Sequence, residues 1–221
     1  SYKMIANYLK VTHMFATLAF GSIYVVGSVN LPNEETRIDS EKHYEEYQDI
    51  YNAFNISSKF WLLGFNYVSP HTQNKSCVYF NISSLTPEGM NYSSNFLKYN
   101  NCRGEIDYTG VFYKTDLVTN GQEKERGRTN CLRAWLKQSG DWIMNYTLIY
   151  SDYTDCLLFR VHNMLGGSGC MILVTDLKNG MSRKCRSMLN HSCSKYHNIW
   201  KVPGMDCEDQ HKKITETCVL T

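Results

Sequence analysis

The pattern of apolar and polar positions changes near residue 58, where short apolar or alternating stretches begin. Clusters of Gly, Asn and Ser separate these stretches, as at Asn120-Gly121 and Gly166-Gly167. The pattern predicts eight strands, near residues 59–68, 76–83, 92–99, 106–118, 129–138, 141–150, 155–162 and 169–175. Closely spaced strands with hairpin-length connections indicate an antiparallel up-and-down meander, and its closure leaves a lumen for one small ligand. We therefore expect a mainly β fold, an eight-stranded antiparallel barrel stabilised by disulfide bonds.

Two helices are expected to flank the strands. Before the strands, aromatic residues recur at i, i+3, i+7 and i+10, which places them on one helical face. They are Tyr44, Tyr47, Tyr51 and Phe54. Asp39 or Ser40 is a candidate N-cap for this helix. Its opposite face is acidic and is expected to be solvated; it carries Glu41, Glu45 and Asp49. A second, cysteine-rich helix is expected over residues 182–196.

Residues 1–28 have the pattern of a secretory signal peptide. Lys3 and Lys10 form a basic start, and the apolar run from Met14 to Val26 is too short to span a bilayer. Val26-Gly27-Ser28 supplies small residues where signal peptidase needs them. The alternative is a buried N-terminal helix. We expect a signal peptide over 1–28, a single domain over 29–221 and a secreted, extracellular protein.

The net charge of the chain is too small to indicate a basic surface that would bind nucleic acid. The formal net charge is +2, and subtracting Lys3 and Lys10 of the signal segment leaves a near-neutral remainder. The mixed run Glu123–Arg128 is interpreted as a solvated hairpin tip. We expect a monomer with no nucleic-acid partner and, because no segment is apolar enough to cross a bilayer, no membrane partner.

Cysteines and glycosylation sequons point to the same oxidising compartment. All nine cysteines follow residue 28, which predicts disulfides: Cys77, Cys102, Cys131, Cys156, Cys170, Cys185, Cys193, Cys207 and Cys218. The odd number leaves one thiol over, and Cys218, near the end, is the expected extra. Six Asn-x-Ser/Thr sequons predict surface glycans: Asn55, Asn74, Asn81, Asn91, Asn145 and Asn190.

The sequon at Asn145 sets the phase of the sixth strand. If Asn145 points outward, alternate residues point into the lumen: Trp142, Met144, Tyr146, Leu148 and Tyr150. Such a wall suits a ligand pocket and suits an ordinary barrel core equally well. On the fifth strand two phases remain open. Either Arg133 and Trp135 face inward, or they face solvent while Leu132, Ala134 and Leu136 face inward.

The last third of the chain resembles the tick salivary lipocalins of the histamine-binding type. The resemblance rests on Asp155-Cys156-Leu157-Leu158, on the run from Gly169 to Asp176, and on Cys185 and Cys207 after them. The order of signal, helix, meander, helix and cysteine tail also matches. The general lipocalin Gly-x-Trp is absent from the first strand, which reads Ser58-Lys59-Phe60-Trp61. The resemblance implies disulfides between Cys156 and Cys185 and between Cys77 and Cys207. Cys170 with Cys193 is the next expected pair.

The family's amine-binding pattern is only partly present. Its two carboxylate positions are apolar here, at Leu157 and Met171, and leucine replaces its aromatic residue at Leu173. A protonated amine in a dry lumen needs a counter-charge, because an unpaired buried ion costs several kcal/mol. Cation–π contacts return only about 0.5–2 kcal/mol each. Of Asp107 and Asp116 on the fourth strand, at most one faces inward.

The candidate lumen residues are Trp135, Arg133, Trp142, Met144, Tyr146, Tyr150, Met171 and Leu173. An inward Arg133 suits a fatty acid or eicosanoid, and a lumen without it suits cholesterol or another neutral lipid. A biogenic amine such as histamine or serotonin remains the ligand that the resemblance implies. The resemblance also implies the role, sequestering a host mediator to suppress inflammation and haemostasis during blood feeding. The remaining alternative is a protein-binding immunomodulator that uses the barrel exterior.

The sequence offers little support for a metal site or an enzyme. Histidines and cysteines near the C-terminus lack zinc-ligand spacings: Cys185, His191, Cys193, His197, Cys207 and His211. The glycine-rich turn ends in Cys170 where a nucleophile elbow needs glycine. We expect no metal, no cofactor and no catalytic residues.

Overall fold

The computed structural model describes residues 37–69, 73–98, 102–193, 200–201, 206–214 and 217. The predicted signal peptide (1–28), His197 and Cys218 lie outside these residues, as do the last residues of the predicted helix 182–196. Within the described residues, no helix is long and apolar enough to cross a membrane.

Eight antiparallel strands form a closed barrel, as the sequence predicted. They are β1 (Lys59–Phe65), β2 (Lys75–Thr86), β3 (Gly89–Lys98), β4 (Arg103–Tyr113), β7 (Cys131–Leu136), β8 (Met144–Ser151), β9 (Cys156–Val161) and β10 (Gly169–Val174). Each strand pairs with the next one in this order, and β10 closes the barrel on β1, with Trp61 opposite Val174. The short strand β11 (Trp200–Lys201) adds to the end of β1.

The predicted fourth strand, 106–118, is not continuous. It ends at Tyr113, and a separate exposed hairpin follows, made of β5 (Leu117–Thr119) and β6 (Gln122–Lys124). The helices are α1 (Ile50–Phe54), α2 (Arg183–Ser192) and α3 (Cys207–Lys213). Three 3-10 turns cover Ile38–Ser40, Lys42–Tyr47 and Leu165–Gly167.

The single N-terminal helix predicted from the aromatic stripe is wrong. Two 3-10 turns precede α1, and Asp49, rather than Asp39 or Ser40, caps it. The Asp49 Oδ1 accepts a hydrogen bond from the backbone N–H of Asn52 at 3.0 Å. Asp49 is therefore buried, although the sequence placed it on a solvated face.

The break before α1 divides the aromatic stripe between two hydrophobic clusters. Tyr44 and Tyr47 pack against a cluster outside the barrel, whereas Tyr51 and Phe54 pack against the cluster inside it. The ring of Phe54 stacks on Phe159 with centroids 5.6 Å apart. Helix α1 thus closes the end of the barrel at which β1 begins.

A covering layer packs on the outside of β8, β9 and β10. We call it the outer layer; its buried residues are Ile38, Ile149, Tyr150, Cys156, Leu158, Cys170, Ile172, Cys185, Leu189 and Cys193. Helix α2 supplies Cys185 and Leu189 to this layer. The side chain of Ser182 caps α2 by accepting a hydrogen bond from the N–H of Cys185 at 3.3 Å.

Two buried arginines connect the outer layer to the N-terminal segment. Arg126 is 1% exposed, which corrects the prediction that the run Glu123–Arg128 is wholly solvated. Its guanidinium donates to the Gln48 Oε1 at 2.8 Å and to the Asp39 carbonyl at 2.9 Å. Arg160 is fully buried and donates to the Asp39 carboxylate at 3.4 Å and to the Ser192 carbonyl at 2.9 Å. Both arginines therefore act on one residue of the N-terminal segment.

The three expected disulfides are present in the structure. Cys156 joins Cys185 and Cys170 joins Cys193, which fastens α2 to β9 and β10. Cys77 joins Cys207, which fastens α3 to β2. Cys102 is also disulfide-bonded. The free cysteine of the described residues is the buried Cys131, not the Cys218 that the sequence favoured.

Candidate functional site

The lumen of the barrel contains two small cavities separated by shared walls. The deeper cavity, beside α1, has a volume of about 30 Å³, and the other, toward the opposite end, about 60 Å³. Both are lined by Phe80, Tyr92, Tyr146 and Met171. Each volume holds only a few water molecules. A larger ligand must therefore displace the side chains that divide the lumen.

The deeper cavity is almost entirely apolar. Phe54, Leu132, Phe159 and Leu173 line it, together with the shared residues. Phe54 is placed there by α1, and Phe159 by the alternation of β9. A surface of this kind suits a hydrocarbon or ring system, because apolar burial is favourable and requires no directional contact.

The other cavity, which we call the tyrosine chamber, is lined by phenol groups. Tyr67, Tyr92, Tyr108 and Tyr146 contribute to it, with Ser69 and Ser94 among the remaining polar residues. Burial raises the pKa of the Tyr67 and Tyr92 hydroxyls, and nearby phenols raise the pKa of Tyr92 further. Burial and the neighbouring phenols likewise hold the pKa of Tyr146 well above its ordinary value. These phenols therefore remain neutral hydrogen-bond donors.

Three of these hydroxyl groups lack a protein partner. Within the part of the chain that the structure describes, the hydroxyls of Tyr67, Tyr92 and Tyr146 make no hydrogen bond to another residue. None of the three is among the fully buried side-chain atoms that lack a partner, so their oxygens open onto the cavity, which is large enough to hold water. Three unshared phenols around one cavity therefore form a candidate recognition site for a polar group of a ligand.

The described lining of both cavities carries no ionisable acid or base other than these phenols. Leu157 and Leu173 are buried in the inner cluster, and Met171 lies on the wall between the cavities. Asp107 and Asp116 are both exposed on the outside of the barrel. No carboxylate of the described residues therefore replaces those missing at Leu157 and Met171.

Five of the candidate lumen residues line the cavities. Trp142, Met144 and Tyr146 border the tyrosine chamber, Leu173 borders the deeper cavity, and Met171 borders both. Their role in binding a ligand remains a prediction. Trp142 precedes β8 rather than lying within it, and has a φ of +56°.

Three candidate lumen residues are wrong. Arg133 is exposed on the outer face of β7, and Trp135 shares that face, because Leu132 and Ala134 point into the inner cluster. Of the two arrangements that the sequence left open for this strand, the structure has the one in which Leu132 and Ala134 face inward.

Tyr150 is the third error, and its cause is a β-bulge. The register between β8 and β9 shifts between Leu148 and Tyr150. Leu148 faces the lumen, but Ile149 and Tyr150 are both buried in the outer layer. The alternation that set the phase from Asn145 therefore fails after Leu148.

Sequence reasoning missed most of the tyrosine chamber. Tyr92 and Ser94 lie on β3, Tyr108 on β4, and Tyr67 just beyond β1. A signal for β3 was present: Met90, Tyr92, Ser94 and Phe96 recur at every second position, as expected for one face of a strand. Tyr67 lies within the predicted strand 59–68 but beyond the observed end of β1 at Phe65, so strand alternation does not assign its face.

Surface features are compatible with the predicted modification sites. The six sequon asparagines are exposed or half-buried, so a glycan can reach each of them without unfolding. Among the described residues, no three His, Cys, Asp or Glu side chains are grouped to hold a metal ion.

Comparison with known proteins identifies one matching family and several solved structures of similar fold. The model of the family "Tick histamine binding protein" matches residues 38–209. The structure is similar to apocrustacyanin C2 (13% identity, 82% of this chain and 94% of that chain, TM-score 0.51). It is also similar to lobster apocrustacyanin A1 (12%, 79% and 91%, 0.50) and to Japanin from Rhipicephalus appendiculatus bound to cholesterol (15%, 67% and 93%, 0.46). At these identities the two apocrustacyanins support the lipocalin fold alone. No sequence among the curated proteins matches this chain.

Proposed function

Because the chain belongs to the tick histamine-binding protein family and folds as a lipocalin, we propose that it is a secreted protein that sequesters a small host mediator. The signal pattern of residues 1–28 and the disulfides support secretion, since disulfides persist in oxidising compartments. Lowering the free concentration of a mediator would suppress host inflammation and haemostasis during blood feeding. Family and fold are those of binding proteins rather than enzymes.

The ligand that the lumen suits best is an uncharged, amphipathic molecule with a polar oxygen. The observation that carries this proposal is the set of unshared, neutral hydroxyls of Tyr67, Tyr92 and Tyr146 in a lumen whose described lining carries no charged side chain. An oxygen of the ligand would accept hydrogen bonds from these phenols. Its apolar body would extend into the deeper cavity between Phe54 and Leu173.

Electrostatics disfavour a charged ligand. A protonated amine or a carboxylate transferred into the lumen would meet no opposite charge among the lining residues that the structure describes. For the amine, the cost of several kcal/mol for an unpaired buried ion exceeds the return of about 0.5–2 kcal/mol from a single aromatic contact. A sterol-like or other neutral lipid avoids that cost.

Flexible side chains would make room for such a ligand. Met90, Met144 and Met171 all border the cavities, and methionine adapts to new shapes at low cost because it is unbranched. Rotation of Met171 away from the shared wall would join the two cavities.

A biogenic amine is the second candidate. The description of the family supports it, as does the stacking of Tyr92 on Tyr108, whose ring centroids lie 5.2 Å apart. Aromatic faces of this kind attract cations.

Native mass spectrometry of the secreted protein tests the proposal. The protein would be stripped of bound material and offered cholesterol, a leukotriene, histamine and serotonin separately. We expect retention of cholesterol, with weaker retention of the charged ligands. Tyr146→Phe should reduce retention, whereas Tyr150→Phe, which removes a phenol of the outer layer, should not. Preferential retention of an amine would replace the first candidate by the second, and binding of none of the four would contradict the scavenger role for these mediators.

A further inference from the structure

The two ends of the barrel differ, and the end opposite α1 is the one next to the tyrosine chamber. We call this end the mouth. The connections β1–β2, β7–β8 and β9–β10 meet there, and Tyr67, Ser69 and Trp142 from the first two of them line the chamber. A ligand that enters at the mouth reaches the unshared phenols directly.

Three aliphatic side chains project from the mouth into solvent, one from each of these connections. Val68 is 71% exposed, Ile143 44% and Leu165 39%. We call these three residues the rim. The other exposed large aliphatic residues of the described chain, Val111 and Val118, lie toward the end closed by α1.

Hydrogen bonds hold the rim connections together. The Asn163 side chain donates to the Ile143 carbonyl at 3.3 Å and accepts from the N–H of Asn145 at 2.7 Å. The Asn66 side chain donates to the Ser168 carbonyl at 3.3 Å and accepts from the N–H of Cys170 at 2.6 Å. The connections that carry Val68, Ile143 and Leu165 are thereby fixed relative to one another.

The backbone at Leu165 is strained without a compensating burial. Its φ is +49°, in the left-handed region that leucine rarely adopts. The conformation leaves the side chain in solvent instead of in the core. Strain that persists without packing is typical of functional segments.

The mouth also carries an excess of positive charge. Its cations are Arg37, Lys75, Lys98, Arg103 and Lys137. Among the described residues of the connections at this end, Asp141 is the one acid, and Glu105 and Asp107 lie further along β4. The connections at the opposite end, with their hairpin, hold seven acids (Glu88, Asp116, Glu123, Glu125, Asp152, Asp155 and Asp176) and five cations (Lys114, Lys124, Arg126, Arg128 and Lys178). The barrel is thus polarised, with its positive end at the mouth.

Two of the mouth lysines are neighbours. Lys75 and Lys98 are opposite each other in the β2–β3 ladder, and neither forms an ion pair with a described residue, although the Lys75 Nζ lies 4.0 Å from the centroid of the buried Phe96 ring. Burial, and then the charge of Lys98, lower the pKa of Lys75 to about 8. An external anion beside this pair would relieve the repulsion between the two ammonium groups.

We propose that the mouth docks on an anionic lipid surface, with the rim inserted among the lipid headgroups and the cations against their phosphates. Apolar side chains that insert and cations beside them supply the two contributions that hold a peripheral protein at an anionic interface, buried apolar area and attraction to the headgroups. Such docking needs no membrane-spanning segment; it departs from the expectation of no membrane partner, which rested on the lack of a segment apolar enough to cross a bilayer. Docking stands independently of the proposed ligand; if both hold, a lipid passes from the surface into the lumen without crossing water.

Co-sedimentation with vesicles tests the proposal. Because the sequons at Asn74 and Asn145 adjoin the mouth, the secreted protein would be tested both with its sugars and after their enzymatic removal. It would be mixed with phosphatidylcholine vesicles that contain or lack phosphatidylserine. We expect binding that depends on phosphatidylserine and weakens with salt. The triple variant V68S/I143S/L165S should bind at least tenfold more weakly, because it loses the inserted side chains. The matched control V111S/V118S removes aliphatic side chains of similar exposure at the other end and should bind like the original chain.

Three results would overturn docking: no binding to either vesicle, equal binding to both, or equal binding by the rim variant and its control. Circular dichroism establishes that each variant is folded. Transfer of cholesterol from cyclodextrin, which needs no membrane, measures the lumen separately. If the rim variant takes up cholesterol normally but no longer binds vesicles, docking holds independently of the lumen. Failure of cholesterol uptake by the original chain would count against the proposed ligand only.

Discussion

The two faces of the barrel wall bury polar groups for different purposes. On the outer face, Arg126 and Arg160 are buried and each is bonded to Asp39, and two disulfides fasten α2. On the inner face the buried polar groups are neutral: the hydroxyls of Ser69 and Ser94 and the phenols, three of which have no partner among the described residues. Bonded charges fix chain segments in place outside the lumen, although the hydroxyls of Tyr150 and Ser192 are also buried there without a hydrogen-bond partner in the described part of the chain. The inner phenols differ because they border a cavity, where they remain available to a ligand. The difference locates recognition inside the barrel and stability outside it.

The largest effect on the free energy of unfolding is expected from removing a disulfide bond on the outside of the barrel. Replacing Cys77 and Cys207 together by serine opens a loop with a sequence separation of 130. In the chain-entropy model this costs about 4–5 kcal/mol of the free energy of unfolding. Urea denaturation measures the loss, and Cys131→Ser, which removes a free thiol, is the comparison. A loss under about 1 kcal/mol for the pair would show that α3 does not stabilise the barrel.

The second largest effect on stability is expected from removing a buried charged side chain outside the lumen. Arg160→Ala leaves the Asp39 carboxylate and the Ser192 carbonyl without their donor, and should lower the free energy of unfolding by about 3 kcal/mol. The exposed Arg133→Ala should change it by less than about 0.5 kcal/mol. If folded Arg160→Ala protein also lost about 3 kcal/mol of ligand-binding free energy, the assignment of stability to the outer face and of recognition to the inner face would be wrong.

The converse change places a charge inside. Met171→Glu puts a carboxyl between the two cavities, where burial should raise its folded pKa by about two units above the unfolded value near 4.3. At neutral pH this costs about 3 kcal/mol, and the cost disappears as the pH falls below 4.3, because both states then bind the proton. Urea denaturation at pH 4 and pH 7 measures it.

The same variant changes the expected ligand. A carboxylate in the lumen supplies the counter-charge that an amine needs, so Met171→Glu should bind histamine at least tenfold more tightly than the original chain. Met181→Glu, on the partly buried edge of the outer layer, is the control and should leave histamine binding unchanged. Equal histamine affinity in the original chain and in both variants would remove the electrostatic reason for preferring a neutral ligand.

A smaller effect is expected from single phenols. Tyr146→Phe removes one hydrogen-bond donor from the tyrosine chamber and should weaken a neutral ligand by about fivefold, which is about 1 kcal/mol. Its stability should not fall, because that hydroxyl has no described protein partner. Tyr150→Phe removes an outer phenol and should leave calorimetric affinity unchanged.

The smallest expected effect is a change in the pH dependence of stability, caused by a histidine on the outside of the barrel. The Nε2 N–H of His211 donates a hydrogen bond to the Cys77 carbonyl at 2.8 Å, and burial, with the charges of Lys59 and Arg103, lowers the pKa of His211. A histidine with a lowered folded pKa stabilises the protein above its unfolded pKa, and that contribution is lost as the pH falls through about 6.5 and below. The thermal midpoint should therefore fall less on acidification in His211→Gln than in the original chain. The exposed His43→Gln serves as its control.

The barrel could be predicted from the sequence, and the details of its two faces only partly. Strand alternation and glycine-rich turns are local signals, so all eight strands were found. The β8 bulge is set by pairing with β9, and it moved Tyr150 to the outside. Burial of Arg126 likewise depends on distant partners at Gln48 and Asp39. Within the lumen, Tyr146 and Met171 were found by phase and resemblance, whereas strand alternation does not assign the face of Tyr67, which lies beyond the end of β1.

The most direct test of the central claim uses two ligands that differ in charge alone at one end. Serotonin carries an ammonium group at neutral pH, and 5-hydroxytryptophol carries an uncharged hydroxyl group in its place. Because the lumen offers neutral phenols and no described carboxylate, calorimetric titration should show the alcohol binding at least tenfold more tightly than serotonin. Serotonin binding tenfold more tightly than the alcohol would contradict the account.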